Sequence, residues 1–203
     1  MKSANCIRML NPKNIFESFV LGNNNNFAYA AALTVAENPG KSFNPLFLHG
    51  GTGIGKTHLL HAVGQYVSSV KIDAHVACLS AKKFTSEYID SIQSKQLARF
   101  HEKYRQTDVL LIDDLQFLVG MSRSQKELFY VIRALCADRK QIVMAGNCAP
   151  GEVMELEQRL VSCFEWGLET SLQASERAPL LQFENPPKWG YVPREYALRP
   201  RLS

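Results

Sequence analysis

The run Gly50-Gly51-Thr52-Gly53-Ile54-Gly55-Lys56-Thr57 holds the residue types that a polyphosphate requires. Glycines let the backbone turn so that successive N–H groups point inward at phosphate oxygens. A helix opening at the end of the run adds its unpaired N-terminal N–H groups and the positive end of its dipole. Lys56 can reach β- and γ-phosphates, and the Thr57 hydroxyl can ligate Mg²⁺. A second group of chemical residues, Asp113-Asp114, closes the aliphatic run Val109-Leu110-Leu111-Ile112. Asp113 is suited to hold Mg²⁺ directly or through water, and Asp114 to orient or deprotonate an attacking water. The eight-residue run fits G-x-x-x-x-G-K-[ST] in every fixed place.

These residues need a scaffold, and the flanking patterns supply one. Pro45 to His49 is a short apolar run that reads as a buried strand, and Leu59, Leu60, Val63 and Val67 mark one face of the helix after the glycines. His75 to Leu79 reads as a second strand. Lys82 to about Ser94 is amphipathic, with Phe84, Tyr88, Ile89 and Ile92 on one side, and Gln96 to Arg105 continues helical. Asp108 to Asp114 is apolar enough for a central parallel strand covered on both faces. In such sheets ligands gather at the carboxyl ends of strands, where Asp113 and Asp114 stand. Leu115 to Gly120 leads into a loop at residues 121–124, and the next helix buries Leu128, Phe129, Ile132 and Leu135. Gln141 to Ala145 is a fourth strand ended by Gly146-Asn147; Leu156 to Phe164 is helical, and Glu165 to Leu168 is read as the fifth strand. An alanine-rich helix, Phe27 to Glu37, precedes all of this and stops at Asn38-Pro39-Gly40. The alternation predicts a five-stranded parallel sheet flanked by helices in three α/β/α layers.

Bulk properties narrow the class. The chain has 203 residues, 46% hydrophobic and 21% charged, with a net charge of +4. That composition is ordinary for a globular protein, and the mild positive charge permits nucleic-acid binding without arguing for it. No apolar run reaches the ~18 residues of a membrane span. The five cysteines, at 6, 78, 136, 148 and 163, form no C-x-x-C motif and read as free thiols in a reducing cytoplasm. His58 and His61 share a helix face but lack a nearby third ligand. Residues 1–170 read as one nucleotide-binding core and 171–203 as an irregular proline-rich tail.

Several ordered motifs together resemble one family. They are Phe19-Val20-x-Gly22-x-x-Asn25-x-Phe27-Ala28, Gly50 to His58, Lys83-Phe84-Thr85, Tyr104-Arg105 leading into Asp108 to Asp114, Gln116-Phe117-Leu118, and Phe164-Glu165-Trp166-Gly167-Leu168. This set is similar to the AAA+ ATPase core of the bacterial chromosomal replication initiator DnaA, from about Leu10 to Leu168.

The resemblance implies an ATP or ADP site with Mg²⁺. Val20, Gly22 and Asn25 would lie against adenine; Gly51, Thr52, Gly53, Ile54, Gly55, Lys56, Thr57 and His58 would hold phosphate; Thr57 and Asp113 would hold metal. Lys56, Asp114 and the polar sensor Asn147 would act in hydrolysis, with Asn147 standing where Asp is usual. Ile89, Arg123 and Ser124 would contact single-stranded DNA, and Met121 replaces a common Lys. Two departures accompany these matches. Cys163 occupies the arginine-finger position while Arg159 is retained, and a thiol cannot replace a guanidinium on phosphate. The helical lid and the C-terminal helix-turn-helix have no counterpart in residues 171–203. The implied role is ATP-dependent assembly with initiator subunits in replication initiation or its regulation, with slow hydrolysis at most. The alternatives are a non-hydrolysing partner that caps initiator filaments and a decayed truncated copy.

Overall fold

Why β3 (Val109–Asp113) is aliphatic almost throughout is plain from the computed structural model, which describes residues 10–153 and 155–173. The strand is an interior one, between β2 and β4, in a sheet ordered β2-β3-β4-β1-β5. Its companions are β1 (Leu46–His49), β2 (Val76–Ser80), β4 (Gln141–Gly146) and β5 (Leu168–Ser171), and every pairing is parallel. Successive strand residues point to opposite faces. Val109 and Leu111 therefore join Leu46, Leu48, Val143 and Ala145 in one apolar layer, and Leu110 and Ile112 join Phe47, Ile142 and Met144 in the other.

The first layer is covered by α1 (Asn26–Glu37) and α2 (Lys56–Val70), the second by α3 (Ala81–Gln93), α4 (Leu97–Arg105), α5 (Ser122–Ala137) and α6 (Gln158–Glu165). In α1 the buried positions are Ala28, Ala31, Ala32, Val35 and Ala36, side chains short enough for the helix to lie close to α2. The expected three-layer α/β/α arrangement with five parallel strands is the arrangement found.

One boundary is explained and one expectation corrected. The helical stretches expected at 82–94 and 96–105 are the separate helices α3 and α4, parted where Lys95 takes φ +55° and the Gln96 N–H turns back to Ser91 O at 2.7 Å. Ser80 sets the start of α3, its Oγ accepting from Lys83 N at 3.2 Å. The fifth strand begins at Leu168, where its N–H meets Pro45 O at 3.0 Å; residues 158–165 stay helical because Phe164 is buried against Phe47, ring centroids 5.3 Å apart.

Ordered pairing continues past residue 170. Leu172 is 1% exposed and its N–H donates to His49 O at 2.7 Å. Residues 174–203, which carry the proline-rich tail, lie outside the described residues, as do residues 1–9 with Cys6. Among the described residues no helix is long and apolar enough to cross a membrane.

Candidate nucleotide site

Parallel strands put all their carboxyl ends on one edge, and the chemically equipped residues collect there. Gly50 follows β1, Asp114 follows β3 and Asn147 follows β4. The strand order β3-β4-β1 sets exposed Asn147 between the glycine loop and the acid pair. The two sides meet directly, with Thr57 Oγ1 donating to Asp113 Oδ2 at 2.5 Å. Asp113 Oδ1 accepts from Asp114 N at 2.8 Å. Asp114 is held in the left-handed region at φ +58°, and its Oδ1 accepts from Gln116 Nε2 at 2.9 Å.

Lys56 opens α2 and is only 7% exposed. Its Nζ donates to Gly50 O at 2.7 Å and Gly51 O at 2.6 Å. Burial pushes its pKa below the ordinary lysine value, and the carboxylates of Asp113 and Asp114 oppose that shift.

Two glycines of the loop are required for different reasons. Gly55 caps α2 at φ +103°, and a Cβ there would stand 2.7 Å from the Phe19 ring. A Cβ on Gly50 would stand 2.1 Å from Leu172 O, where the continuation of β5 crosses the loop. At Gly51 and Gly53 a Cβ would meet nothing within 4 Å, so the space before the loop is open. Among the described residues, the main-chain N–H groups from Gly51 to His58 have no protein acceptor. A row of unpaired amides at a helix start, one ammonium and open space together fit a polyphosphate. A hydroxyl beside a carboxylate fits Mg²⁺, a hard cation commonly held by one or two protein oxygens plus phosphate and water.

The segment before α1 frames the same edge. Asn25 is 6% exposed; its Oδ1 accepts from Gly22 N at 2.8 Å and its Nδ2 donates to Val20 O at 3.0 Å. Its side chain shapes the turn, beside which Val20 and Phe27 are 63% and 60% exposed. Gln173 N reaches Asn24 O at 3.4 Å, tying this segment to the end of β5. The His58 side chain is committed elsewhere, its Nε2 lying 2.8 Å from Ile15 O and its ring edge-on to Phe19. What His58 leaves unpaired at this edge is its main-chain N–H. His61 Nδ1 accepts from Asn11 N at 3.0 Å, and among the described residues no cluster of metal-ligating side chains occurs.

The residues expected to meet nucleic acid divide. Ile89 on α3 is 45% exposed and Arg123 in the first turn of α5 is exposed, on two helices that pack together. Ser124 is 4% exposed, so its side chain is turned into the fold and not toward a passing strand. On α6, Arg159 is exposed, whereas Cys163 packs against the second apolar layer; burial pushes its thiol pKa up, with Arg133 opposing.

Sequence reasoning missed the supports of this site. Gln116 steadies Asp114, Phe19 seals Gly55 and Leu172 seals Gly50. Only Gln116 carried a local signal, an amide two residues beyond an acid at a strand end.

Comparison with known proteins agrees with this geometry. Residues 10–171 match the family described as the bacterial DnaA ATPase domain. Domain III of the Thermotoga maritima replication initiation protein DnaA superposes with a TM-score of 0.81 at 45% identity, covering 82% of this chain and 70% of that one. A replication initiator DnaA bound to AMPPCP and single-stranded DNA gives 0.79 at 35% identity, covering 82% and 52%. AMPPCP-bound DnaA from Aquifex aeolicus gives 0.77 at 36% identity, covering 81% and 51%. The chain thus spans about half the length of those two initiators. With its glycine loop, acid pair and strand order all in place, the chain belongs to the bacterial DnaA ATPase domain family.

Proposed function

We propose that this chain binds ATP or ADP with Mg²⁺ at the loop between β1 and α2 and acts in initiation of DNA replication or its regulation. The observation that carries the reading is the Thr57–Asp113 contact, which places a hydroxyl and a carboxylate together at the mouth of an unpaired-amide loop. In this reading the Gly51 to His58 amides and Lys56 bind the phosphates, with Lys56 exchanging its two carbonyl acceptors for phosphate oxygens. Bound Mg²⁺ would neutralise phosphate charge between Thr57 and Asp113. Asp114, anchored through one oxygen by Gln116, keeps the other to orient a water. Asn147 offers a neutral hydrogen-bonding group at the same edge. Hydrolysis by the chain alone is slow in this reading, since Cys163 brings no guanidinium to a neighbour's phosphate.

Ile89 and Arg123 provide an apolar and a cationic contact for single-stranded DNA, supported by their exposure on packed helices and by the DNA in one similar structure. Assembly with initiator-type subunits is proposed through the nucleotide-bearing face.

The deciding experiment is nucleotide binding by calorimetry, with and without Mg²⁺. The parent chain binds ATP in a Mg²⁺-dependent way and Lys56→Ala does not. Absence of binding by the parent under Mg²⁺-replete conditions overturns the reading.

A further inference from the structure

Gln125 is an amide buried to 1% exposure in the first turn of α5, at the edge of an otherwise apolar layer. Its side chain makes three hydrogen bonds, all to main chain. Nε2 donates to Leu118 O at 2.8 Å and to Glu155 O at 3.0 Å, and Oε1 accepts from Glu157 N at 2.7 Å. The two segments it joins are otherwise separate in the chain. Leu118 ends the short 3-10 turn that starts at Asp114. Glu155 takes φ +63°, and Glu157 is the capping residue of α6.

A buried amide costs free energy unless every polar atom is satisfied, and here both donors and the acceptor are used. Such a group gives little that an apolar side chain of the same volume would not give, except a defined relative position of the backbones it joins. Polar contacts also run on toward the nucleotide site. Phe117 N donates to Asp114 O at 3.0 Å, Gln116 Nε2 holds the Asp114 carboxylate, and Asp114 N donates to Asp113, the residue that Thr57 contacts. At the far end, α6 presents exposed Arg159 and is followed by Trp166, which is 95% exposed.

We propose that Gln125 is the positioning residue that registers α6 against the acid-bearing end of β3, so that nucleotide at the Thr57–Asp113 site resets the surface around Arg159 and Trp166. Gln125 touches no ligand and acts through Leu118 on one side and Glu157 on the other. The nucleotide-dependent half of this proposal rests on the function proposed above; the registration of α6 does not.

Hydrogen exchange on the whole chain tests both halves. Gln125→Met keeps the volume and removes the three bonds. Without nucleotide, exchange within residues 115–121 and 155–165 rises together by about 10-fold, while β4 amides are unchanged. A rise that is uniform through β4, or confined to one of the two segments, overturns the registration. With ATP and Mg²⁺, exchange in residues 155–165 slows in the parent; Gln125→Met retains ATP affinity within about 3-fold and loses that slowing. A Met variant that still slows there, or a parent that binds ATP with no change there, overturns the coupling. A parent that binds no ATP overturns the nucleotide site and the coupling with it, while the nucleotide-free comparison still decides the registration. Gln125→Glu, which keeps the acceptor for Glu157 N and loses both donors, serves if the Met variant does not fold. It should loosen residues 115–121 more than the start of α6, and the reverse order overturns the proposal.

Discussion

Thr57 Oγ1 donates to Asp113 Oδ2 at 2.5 Å although 56 positions separate them in the chain. One lies in the first turn of α2 and the other ends β3, with β4 between their strands in the sheet. If the pair clips Mg²⁺, Thr57→Ala and Asp113→Asn should each weaken ATP binding by roughly 10-fold or more in Mg²⁺ and far less in excess chelator. Titration calorimetry under both conditions checks this. Equal losses with and without the metal would show that the pair serves the fold alone.

Gly55 combines two demands that can be separated. Gly55→Ala should destabilise the chain by about 1–2 kcal/mol from the left-handed φ alone, and further from the clash with Phe19. Phe19→Ala removes the clash and leaves the φ penalty. Denaturant midpoints of both single variants and the double variant should therefore show a favourable coupling between the two sites.

Asn25 holds the Val20–Gly22 turn by one donated and one accepted bond. Asn25→Ala should cost about 1 kcal/mol of stability or somewhat more, because it removes two hydrogen bonds to part-buried main-chain groups. Asn25→Asp keeps the acceptor for Gly22 N and should recover part of the loss. If the turn also seats the base, selectivity for ATP over another nucleoside triphosphate falls in the Ala variant, read by competition binding.

His61 gives a pH dependence with a definite sign. Burial pushes its pKa below the ordinary histidine value, Asp113 opposes that shift and His58 adds to it. Its Nδ1 accepts the Asn11 N–H, which only the unprotonated ring nitrogen can do. The unfolded chain therefore takes up a proton before the folded chain does. The stabilisation is fully present above about pH 6.5 and is lost as pH falls through the lower folded-state value. His61→Gln should flatten that part of the stability–pH profile between pH 7 and pH 5, measured by denaturant unfolding.

Arg123 and Ser124 should behave differently toward single-stranded DNA. Arg123→Ala should weaken binding and reduce the slope of log K against log salt by about 0.7 for one lost phosphate contact. Ser124→Ala should leave that slope unchanged, because its side chain is 4% exposed. Fluorescence anisotropy with an oligonucleotide over a salt series distinguishes the two.

The periodic parts of this chain could be read without coordinates. Strand β3 is aliphatic because both faces are covered, and that leaves a direct trace in composition at Val109 to Ile112. The glycine run and the acid pair are equally local, since their chemistry lies in residue type and order. Boundaries set by long-range contact were less legible. β5 starts at Leu168 because Pro45 O waits there, and the helical pattern around residue 95 is broken by one positive φ that no periodicity reveals.

By itself, then, the sequence determined the layers, the glycine loop and the acid pair, because repeating patterns and contiguous motifs encode what neighbours in the chain can do. Only the tertiary structure decided that Asn25 and His58 spend their side chains on the backbone, that Ser124 is turned inward, and that Gln125 joins two distant segments. The physical reason is the same in each case. A hydrogen bond or a burial is a property of a pair brought together by the fold, and neither partner's identity announces the other.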